Sequence, residues 1–173
     1  MTPIITTMRL SLLPFTLADA HHILRLLNDQ AFIQNIGDKQ VRTVDDALAY
    51  LTGGPLKSYE KNGFGLWKVV ETQTNDFVGM CGLIKRDSLP CVDIGYALLP
   101  QYRGVGFGTE AALACKNIGK TQYGLVELCG ISNADNMASI CVLKKLGMKY
   151  QKTIRLPQAT TEVELYWVSL VDQ

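Results

Sequence analysis

The sequence lacks an excess of charge of either sign. Lysine and arginine total 17 and aspartate and glutamate total 16, so the net charge is +1 over 173 residues. Bulk binding to nucleic acid needs a dense basic face that displaces counterions, and this balance argues against it. The sequence also has no apolar run long enough to cross a bilayer, and its start has no charged segment followed by a long apolar block. We therefore expect no nucleic-acid partner, no membrane span and no secretory signal.

Metal-ligating residues are scarce, because the only histidines, His21 and His22, are adjacent and far from any cysteine in sequence. We interpret them as part of an exposed helix face and predict no metal site. The five cysteines are odd in number, contain no C-x-x-C pair, and each lies in an apolar segment. They are predicted to be reduced thiols in the core of a cytoplasmic protein. These cysteines are Cys81, Cys91, Cys115, Cys129 and Cys141.

Apolar residues are plentiful, at 47% of the chain, whereas charged residues make up 19%. A mainly disordered chain would be poorer in apolar residues and would carry more net charge, so a folded protein is expected. A chain of this length can bury roughly 70% of the surface that it exposes when unfolded, which suits one core. We predict a single domain over residues 1–173.

The apolar spacing predicts the element order β-α-α-β-β-β-α-β-α-β-β. Two helices are expected to begin at capping boxes, one at Thr16 with Asp19 and the other at Thr43 with Asp46. The run Gly53-Gly54-Pro55 is expected to interrupt the second helix. The antiparallel meander in the middle excludes a doubly wound sheet. The prediction is a mixed α/β (α+β) fold with a largely antiparallel sheet of about seven strands and helices on both faces. The predicted strands cover residues 9–15, 64–71, 77–86, 91–99, 125–131, 149–156 and 162–171.

The most informative segment joins the predicted strand at residues 91–99 to the helix after it. The connecting loop, Arg103-Gly104-Val105-Gly106-Phe107-Gly108, holds three alternate glycines. Glycine lets a ligand approach the backbone closely, and the amides of residues 105–109 at a helix N-terminus favour an anion. The loop therefore predicts a phosphate or pyrophosphate ligand, with a tight turn that binds nothing as the alternative. A nucleotide P-loop is excluded because Thr109 and Glu110 stand where it needs lysine and a hydroxyl residue, and the G-x-G-x-G spacing excludes the dinucleotide fingerprint.

The same loop resembles the R/Q-x-x-G-x-G/A signature of the GNAT acyl-CoA N-acyltransferase superfamily. The segment Asp93-Ile94-Gly95-Tyr96 is similar to the strand that precedes this loop in the family. Downstream, Asn136-x-x-Ser139 followed by Leu143-Lys144-Lys145-Leu146-Gly147-Met148 resembles the N-x-x-S…K-L-G-F segment of the Rim-type ribosomal-protein N-terminal-alanine acetyltransferases. Residues 8–19 also resemble the start of that branch. The resemblance covers nearly the whole chain in order and spacing.

The resemblance implies that acetyl-CoA binds in a V-shaped opening between two splayed parallel strands, residues 91–99 and 125–131. The pantetheine arm would lie along the first strand and the pyrophosphate on the glycine loop. A bulge at residues 96–98 would aim a backbone N–H at the carbonyl oxygen. Lys144 would approach the adenosine phosphates or simply lie on an exposed helix face. The implied cofactor-binding residues are Ile94, Tyr96, Ala97, Leu98, Arg103, Gly104, Val105, Gly106, Phe107, Gly108, Thr109, Asn136 and Ser139.

The resemblance also implies that the amine attacks the thioester directly in a ternary complex. Ser139 matches the family position whose hydroxyl can protonate the leaving thiolate, and Asp93 could accept the amine proton through water. Each has a purely structural alternative, as a polar residue of a helix or a strand face. A cysteine nucleophile is disfavoured because no histidine accompanies any of the thiols. Further candidates for ordering the amine or offering a hydroxyl are Glu162, Glu164, Tyr96 and Tyr166.

The acceptor stays open between a protein N-terminus, as in the Rim-type enzymes, and a small-molecule amine such as an amino acid, a polyamine or an antibiotic. Acceptor specificity in the superfamily lies in early helices and late loops, here residues 28–44 and 157–161, and their composition selects neither. A catalytically silent acyl-CoA-binding module is the alternative from another functional class. The apolar run Leu165-Tyr166-Trp167-Val168 could pair with or pack against a second copy, so a homodimer is a further expectation.

Overall fold

One eight-stranded sheet runs through the computed structural model, which describes residues 2–171. Its strands are β1 (Ile5–Thr6), β2 (Leu10–Leu13), β3 (Leu66–Glu71), β4 (Phe77–Ile84), β5 (Asp93–Leu98), β6 (Glu127–Ser132), β7 (Lys149–Ile154) and β8 (Val163–Ser169). Their order across the sheet is β1-β2-β3-β4-β5-β6-β8-β7, and every neighbouring pair is antiparallel except β5 with β6. The predicted mixed fold is confirmed. The extra strand is β1, whose two residues are too few for an alternation to be detected.

Six α-helices lie within residues 2–171: α1 (Ala20–Leu27), α2 (Gln30–Ile36), α3 (Val44–Leu51), α4 (Lys57–Asn62), α5 (Phe107–Thr121) and α6 (Met137–Lys145). Both predicted capping boxes are confirmed, at Thr16 with Asp19 ahead of a short 3₁₀ turn and α1, and at Thr43 with Asp46 ahead of α3. These side chains satisfy backbone N–H groups that have no partner inside the helix. None of the described helices is long and apolar enough to cross a membrane.

Helix α3 ends at Leu51, just before the run Gly53-Gly54-Pro55, so the α-helical geometry is interrupted where the sequence predicts it. A π-helical stretch, Thr52–Leu56, joins α3 to α4 without a break. In a regular α-helix the proline ring would clash with the carbonyl four residues earlier and would remove a hydrogen bond. The wider turn of a π-helix accommodates Pro55, which is buried there.

Apolar side chains form a core layer on each face of the sheet, as predicted. On one face, the buried stripe of α5 packs together with Leu143 of α6, and we call this the α5–α6 face. On the other, Ile23 of α1 and Leu51 of α3 pack in one cluster with Ala97 of β5, and we call this the α1–α3 face. Helices therefore cover both faces of the central strands.

Two cysteines are joined in a disulfide, which corrects the prediction of five reduced thiols. Cys91 lies just before β5 and Cys129 lies in β6, and their Cα atoms are 6.1 Å apart, a distance that a disulfide spans. Their sequence separation of 38 conceals this proximity, because only the pairing of β5 with β6 creates it. Cys81 and Cys115 are buried free thiols, as predicted, whereas Cys141 is exposed on α6.

The apolar run at residues 165–168 lies in β8, which is an interior strand. β8 is paired with β6 on one side and with β7 on the other. It therefore has no free edge, and the predicted pairing of this strand with a second copy is wrong. The edge strand at this end of the sheet is β7, whose residues are mostly exposed and include Lys149 and Lys152, as is common for strands that avoid pairing with other chains.

Candidate active site

Strands β5 and β6 meet at one position and then separate. Asp93 is aligned with Cys129, and this is the only register position that joins the two described strands. Beyond it, β5 continues beside β4 and β6 continues beside β8. A wedge-shaped gap, here called the V opening, therefore starts at the Asp93–Cys129 pair and widens along β5.

Backbone groups of β5 line one side of the V opening. The Val92 carbonyl accepts a hydrogen bond from β6 at 2.9 Å, whereas the Leu99 N–H donates to Val78, beside β5 on the opposite edge, at 2.9 Å. Because the backbone groups of successive residues point to opposite edges of a strand, even-numbered residues of β5 face β6. The residues that present N–H and carbonyl groups to this side are Ile94, Tyr96 and Leu98.

The expected bulge in β5 is absent. The register between β4 and β5 runs without a shift along the whole of β5. Gly79 of β4 permits this close, regular pairing, since a Cβ there would lie 2.1 Å from the Ala97 carbonyl oxygen. Ala97 therefore directs its backbone to β4 and its side chain into the α1–α3 core, away from the V opening. Its predicted cofactor contact has no geometric support.

The glycine loop follows β5 in the chain and lies at the widening end of the V opening. Backbone N–H groups of residues 105–109 make no hydrogen bond to any other residue within 2–171. Gly104 and Gly106 have φ angles of +77° and +89°, which L-residues with a side chain rarely adopt. These turns point consecutive amides outward at the start of α5, where the helix dipole favours negative charge. The loop has the geometry of a phosphate-binding site.

Arg103 lies at the rim of this loop and already binds two groups of the protein. Its Nε donates to the Leu98 carbonyl at 2.9 Å, and its guanidinium pairs with Asp29 at the start of α2. Arg103 therefore ties the loop to α2, and its charge is partly neutralised.

A second cation, Arg9, reaches the loop from the strand β2 side. It pairs with Glu110 at 2.6 Å, donates to the Val105 carbonyl at 2.9 Å and lies 4.6 Å from the centre of the Phe107 ring. These contacts hold the loop against β2, and the pairing with Glu110 partly neutralises the charge of Arg9 beside the free amides. A Cβ on Gly106 would come within 3.3 Å of the Arg9 guanidinium, so the space beside the loop is narrow.

Tyr96 and Ser139 form a hydroxyl pair beside the V opening. Their hydroxyl oxygens are 2.9 Å apart, and the Tyr96 hydroxyl also lies 3.0 Å from the Ser139 carbonyl, to which it can donate. Burial raises the pKa of Tyr96 to about 12 despite the hydrogen bond to Ser139, so the phenol stays protonated at neutral pH. Asn136 caps α6, because its Oδ1 accepts from the Ser139 N–H at 3.2 Å. The capped helix start thus fixes Ser139 relative to β5.

Asp93 lies at the vertex of the V opening with only 1% of its surface exposed. Its carboxylate accepts from Arg86 Nε at 3.1 Å and 3.3 Å. Burial raises the pKa of Asp93 to about 6, although the charge of Arg86 opposes this shift. Because side chains alternate along a strand, Asp93 points to the same α1–α3 face as Ala97, opposite to the Tyr96 hydroxyl. A buried carboxyl that titrates near neutrality is a candidate acid or base.

A comparison with known proteins decides the family. Residues 9–149 match the family description "Acetyltransferase (GNAT) domain". The chain belongs to the GNAT acetyltransferase family. The predicted enzyme class, an acetyl-CoA-dependent N-acetyltransferase, is confirmed at this level.

This GNAT chain is 34% identical over 95 residues to the uncharacterized protein YkkB of Bacillus subtilis (strain 168), covering 54% of this chain and 55% of that protein. It is thus matched to about half the length of that relative. Its fold is similar to that of RimL, a ribosomal-protein alpha-N-acetyltransferase in complex with coenzyme A, with a TM-score of 0.82, 15% identity and coverage of 97% and 98% of the two chains. A spermidine N-acetyltransferase from Vibrio cholerae in complex with CoA and spermine gives a TM-score of 0.77, 15% identity and coverage of 94% and 96%.

The remaining GNAT candidates do not gather at the V opening. Glu162 is exposed and lies 3.7 Å from Arg155. Glu164 accepts from the Tyr166 hydroxyl at 2.6 Å, and burial with this carboxylate neighbour raises the pKa of Tyr166 to about 12. Lys144 lines an open, mostly apolar cavity of about 410 Å³ along α6. Glu162 therefore lies in an exposed ion pair and Lys144 is exposed on α6, and their roles stay predictions.

Two residues of the GNAT site were missed by sequence reasoning, Arg9 and Arg86. Arg9 is 101 residues from Glu110, and no local pattern links them. Arg86 is different, because Ile84 pairs with Asp93 across the β4–β5 hairpin. A cation at the end of one predicted strand and an acid near the start of the next, on the two sides of the same turn, is a signal that could have indicated this pair.

Proposed function

We propose that this GNAT enzyme transfers the acetyl group of acetyl-CoA to a primary amine by direct attack in a ternary complex. The observation that carries the proposal is the V opening itself. Backbone groups of β5, free amides of the glycine loop and the Tyr96–Ser139 hydroxyl pair adjoin it, while Asp93 stands on the opposite face of the same strand. Two reactants could therefore approach the gap from opposite faces, as direct transfer requires.

The residues present fit acetyl-CoA. The cradle at Gly104 and Gly106, which a Cβ would strain, and the free amides of residues 105–109 suit a pyrophosphate. Arg9 and Arg103 lie at its rim. The backbone groups of Ile94, Tyr96 and Leu98 suit an extended amide-bearing arm, although the Leu98 carbonyl already accepts from Arg103. When bound, acetyl-CoA supplies an activated acetyl thioester.

Asp93 is proposed as the group that accepts the amine proton. Its pKa of about 6 leaves most of the carboxylate ionised at neutral pH while keeping it a better base than an exposed aspartate. Burial supplies this shift, and Arg86 limits it. Because Asp93 is almost completely covered, a water molecule is the proposed carrier between the amine and the carboxylate.

Ser139 is proposed to supply a proton or hydrogen bond to the leaving sulfur. A free thiol has a pKa near ~8.5, so a departing thiolate gains from a donor at neutral pH. If the Tyr96 hydroxyl donates to the Ser139 hydroxyl, the Ser139 proton is free to point elsewhere; if it donates to the carbonyl, Ser139 can donate to Tyr96 instead. The first arrangement is the productive one. A silent acyl-CoA-binding module would need neither this donor nor a perturbed Asp93.

The acceptor is proposed to be either a protein N-terminus or a small-molecule amine. Similarity to RimL supports the first, and similarity to the spermidine enzyme supports the second. We also propose that residues 1–173 form one catalytic domain that acts in the cytoplasm, where the Cys91–Cys129 pair would be exposed to reducing conditions, and a homodimer remains a proposal for light scattering to test.

The deciding experiment measures thiol release from acetyl-CoA with a panel of small amines and of peptides that have free N-termini. Transfer is identified by the mass of the acetylated product. Acetylation of an amine supports the proposal. Binding of coenzyme A in calorimetry without acetylation of any amine would contradict it and would favour the silent binding module.

A further inference from the structure

A cavity of about 420 Å³ lies where three loops of the α1–α3 side meet. The segment before α3 contributes Lys39, the β4–β5 loop contributes Arg86 and Ser88, and the β7–β8 loop contributes residues 156–159. Arg86 links the cavity to the vertex of the V opening, since its Nε lies 3.1 Å from Asp93. The cavity is therefore one hydrogen bond away from the group proposed to accept the amine proton.

The described lining of this cavity contains two cations and no carboxylate. Lys39 forms no hydrogen bond or ion pair with any residue in the range 2–171. Lys39 is an exposed residue, and desolvation, followed by the charge of Arg86, lowers the pKa of its ammonium, which therefore lies in a positive environment. Arg86 uses only Nε toward Asp93, whereas a guanidinium has five N–H donors. Donors of both side chains remain for a ligand.

Nearby carboxylates do not neutralise Lys39, because they have cations of their own. Asp38 pairs with Arg42 at 2.6 Å, and Glu162 lies 3.7 Å from Arg155. Asp93 is matched by Arg86. Asp87, the exposed carboxylate of the β4–β5 loop, does not line the cavity, so the charged groups of the described lining are both cations.

The rest of the wall is uncharged. Leu156 and Pro157 are apolar, and Ser88 and Gln158 are polar but neutral. Such a wall suits a short carbon chain that carries one anionic group, since paired cations hold a carboxylate or phosphate well. A polyamine would bring a second positive charge toward Lys39 and Arg86, and the juxtaposition of like charges is unfavourable.

We propose that the acceptor is a primary amine that also carries an oxyanion, which Lys39 and Arg86 bind while the amine lies toward Asp93. The inference rests on the proposed acetyl transfer and names the substrate class of the same site. The oxyanion can belong to a small amino acid or phosphate ester, or to an acidic side chain near a peptide N-terminus. The recognition chemistry is the same in both cases.

The test compares kcat/KM for acceptors that differ only in the anion. Glycine, β-alanine and γ-aminobutyrate are paired with their amides, phosphoethanolamine with ethanolamine, and a peptide beginning Ser-Asp with one beginning Ser-Asn, while spermidine serves as the cationic contrast. We expect at least one anionic acceptor to exceed its neutral counterpart by roughly 10-fold or more, because a hydrogen-bonded charge contributes that much to binding. The small molecules and the peptides separate the two sources of the oxyanion.

Variants of Lys39 test whether this preference arises in the cavity. Lys39→Gln should reduce the preference by roughly 10-fold, and Lys39→Glu should shift it toward spermidine. Lys61→Gln is the matched control, because Lys61 is an exposed lysine in the last turn of α4 that does not line the cavity, and it should keep the preference. Calorimetry should give the same affinity for coenzyme A in all three variants, which verifies that each is folded.

The outcomes separate the two proposals. Preferred transfer to neutral amines or spermidine, or an anion preference that Lys39→Gln leaves intact, overturns the acceptor inference and keeps the transferase. Failure to acetylate every amine while coenzyme A still binds overturns the transferase itself, and the acceptor inference with it.

Discussion

The glycine loop and the cation-lined cavity differ in which groups they leave free. At the loop, backbone amides of residues 105–109 have no partner in the described chain, while Arg9 and Arg103 are each paired with a carboxylate. At the cavity, the free group is a side chain, Lys39, and a half-exposed Arg86 adds donors. One site offers the backbone to a ligand, and the other offers side chains.

Because of this difference, one fold can retain its binding site for a cosubstrate while its specificity for the acceptor changes. Binding by backbone amides needs only glycines and a helix start, so it survives change in most side chains. Binding by side-chain charge can change with one substitution on a loop, and loops tolerate such changes well.

Substitution of Asp93 should have the largest effect, because it removes the group proposed to accept the amine proton. Asp93→Asn should lower kcat/KM by roughly 10²-fold to 10⁴-fold. In the unmodified enzyme, kcat/KM should rise with pH and level off above about 6, since the base works only when deprotonated and burial has raised its pKa to about 6. The charge of Arg86 lowers the pKa of Asp93, so Arg86→Gln should raise that pKa further. The rising part of the pH–rate profile should then move to higher pH. The measurement is a pH–rate profile.

Asp87→Asn is the matched control for these profiles, because Asp87 is exposed in the same loop and does not line the cavity. Its profile should match that of the unmodified enzyme. An Asp93→Asn variant with unchanged kcat/KM would return Asp93 to a structural role.

Removal of the Ser139 hydroxyl should lower kcat more than it changes substrate binding. Ser139→Ala is expected to reduce kcat by roughly 10-fold to 1,000-fold with a small change in the KM for acetyl-CoA, because the donor acts when the thiolate leaves. Tyr96→Phe should cause a smaller loss if Tyr96 only orients Ser139. Cys141→Ala, at an exposed position of the same helix, controls for disturbance of α6. Steady-state kinetics decide the matter, and an unchanged kcat in Ser139→Ala would remove it from the mechanism.

Gly106→Val should weaken coenzyme A binding by roughly 10-fold or more while the fold survives. Valine is strained at a φ of +89°, and its Cβ would come within 3.3 Å of Arg9 at the narrow side of the loop. Gly108→Ala is the control, because a Cβ there makes an ordinary 3.6 Å contact with Leu98. Calorimetry with coenzyme A measures both, and equal affinity in Gly106→Val and the parent would show that the loop does not hold the pyrophosphate.

Asn136→Ala should give the smallest effect, and it combines two changes. Loss of the cap on α6 should lower the free energy of unfolding by about 1 kcal/mol, seen as a decrease of a few degrees in Tm. Coenzyme A binding should weaken modestly while kcat changes little. A loss of kcat as large as that in Ser139→Ala would instead mean that Asn136 acts by positioning Ser139.

Local signals predicted well what depends on neighbouring residues. The capping boxes at Thr16 and Thr43 and the central meander each follow from a few consecutive positions, and the structure has all of them. The glycine loop is local in the same sense. Its position at the start of α5 was therefore predictable from sequence alone.

Features that join distant segments could not be predicted from local sequence signals. The Cys91–Cys129 disulfide and the Arg9–Glu110 ion pair exist only because strands far apart in sequence become neighbours. The positive cavity has the same origin, since Lys39 and Arg86 come from separate loops. Charge balance over the whole chain hides such a site, because one unpaired lysine changes the composition hardly at all. The missing bulge in β5 also depends on a partner strand, through Gly79 of β4.

The disulfide is a covalent cross-link between the segment that leads into β5 and strand β6, at the vertex of the V opening. Cys129 is the β6 residue that pairs with β5, so the bond restrains sliding at the one point where the two arms touch. A shift of the β6 register by one residue would turn its side chains to the opposite faces of the sheet, and the disulfide opposes this shift. In its oxidised form, it also closes a loop containing β5, the glycine loop and α5, which by chain entropy stabilises the fold by roughly 4 kcal/mol, and this contribution is lost when the pair is reduced. Where the disulfide is formed, a covalent bond therefore maintains the alignment of β5 and β6 on which the geometry of the V opening depends.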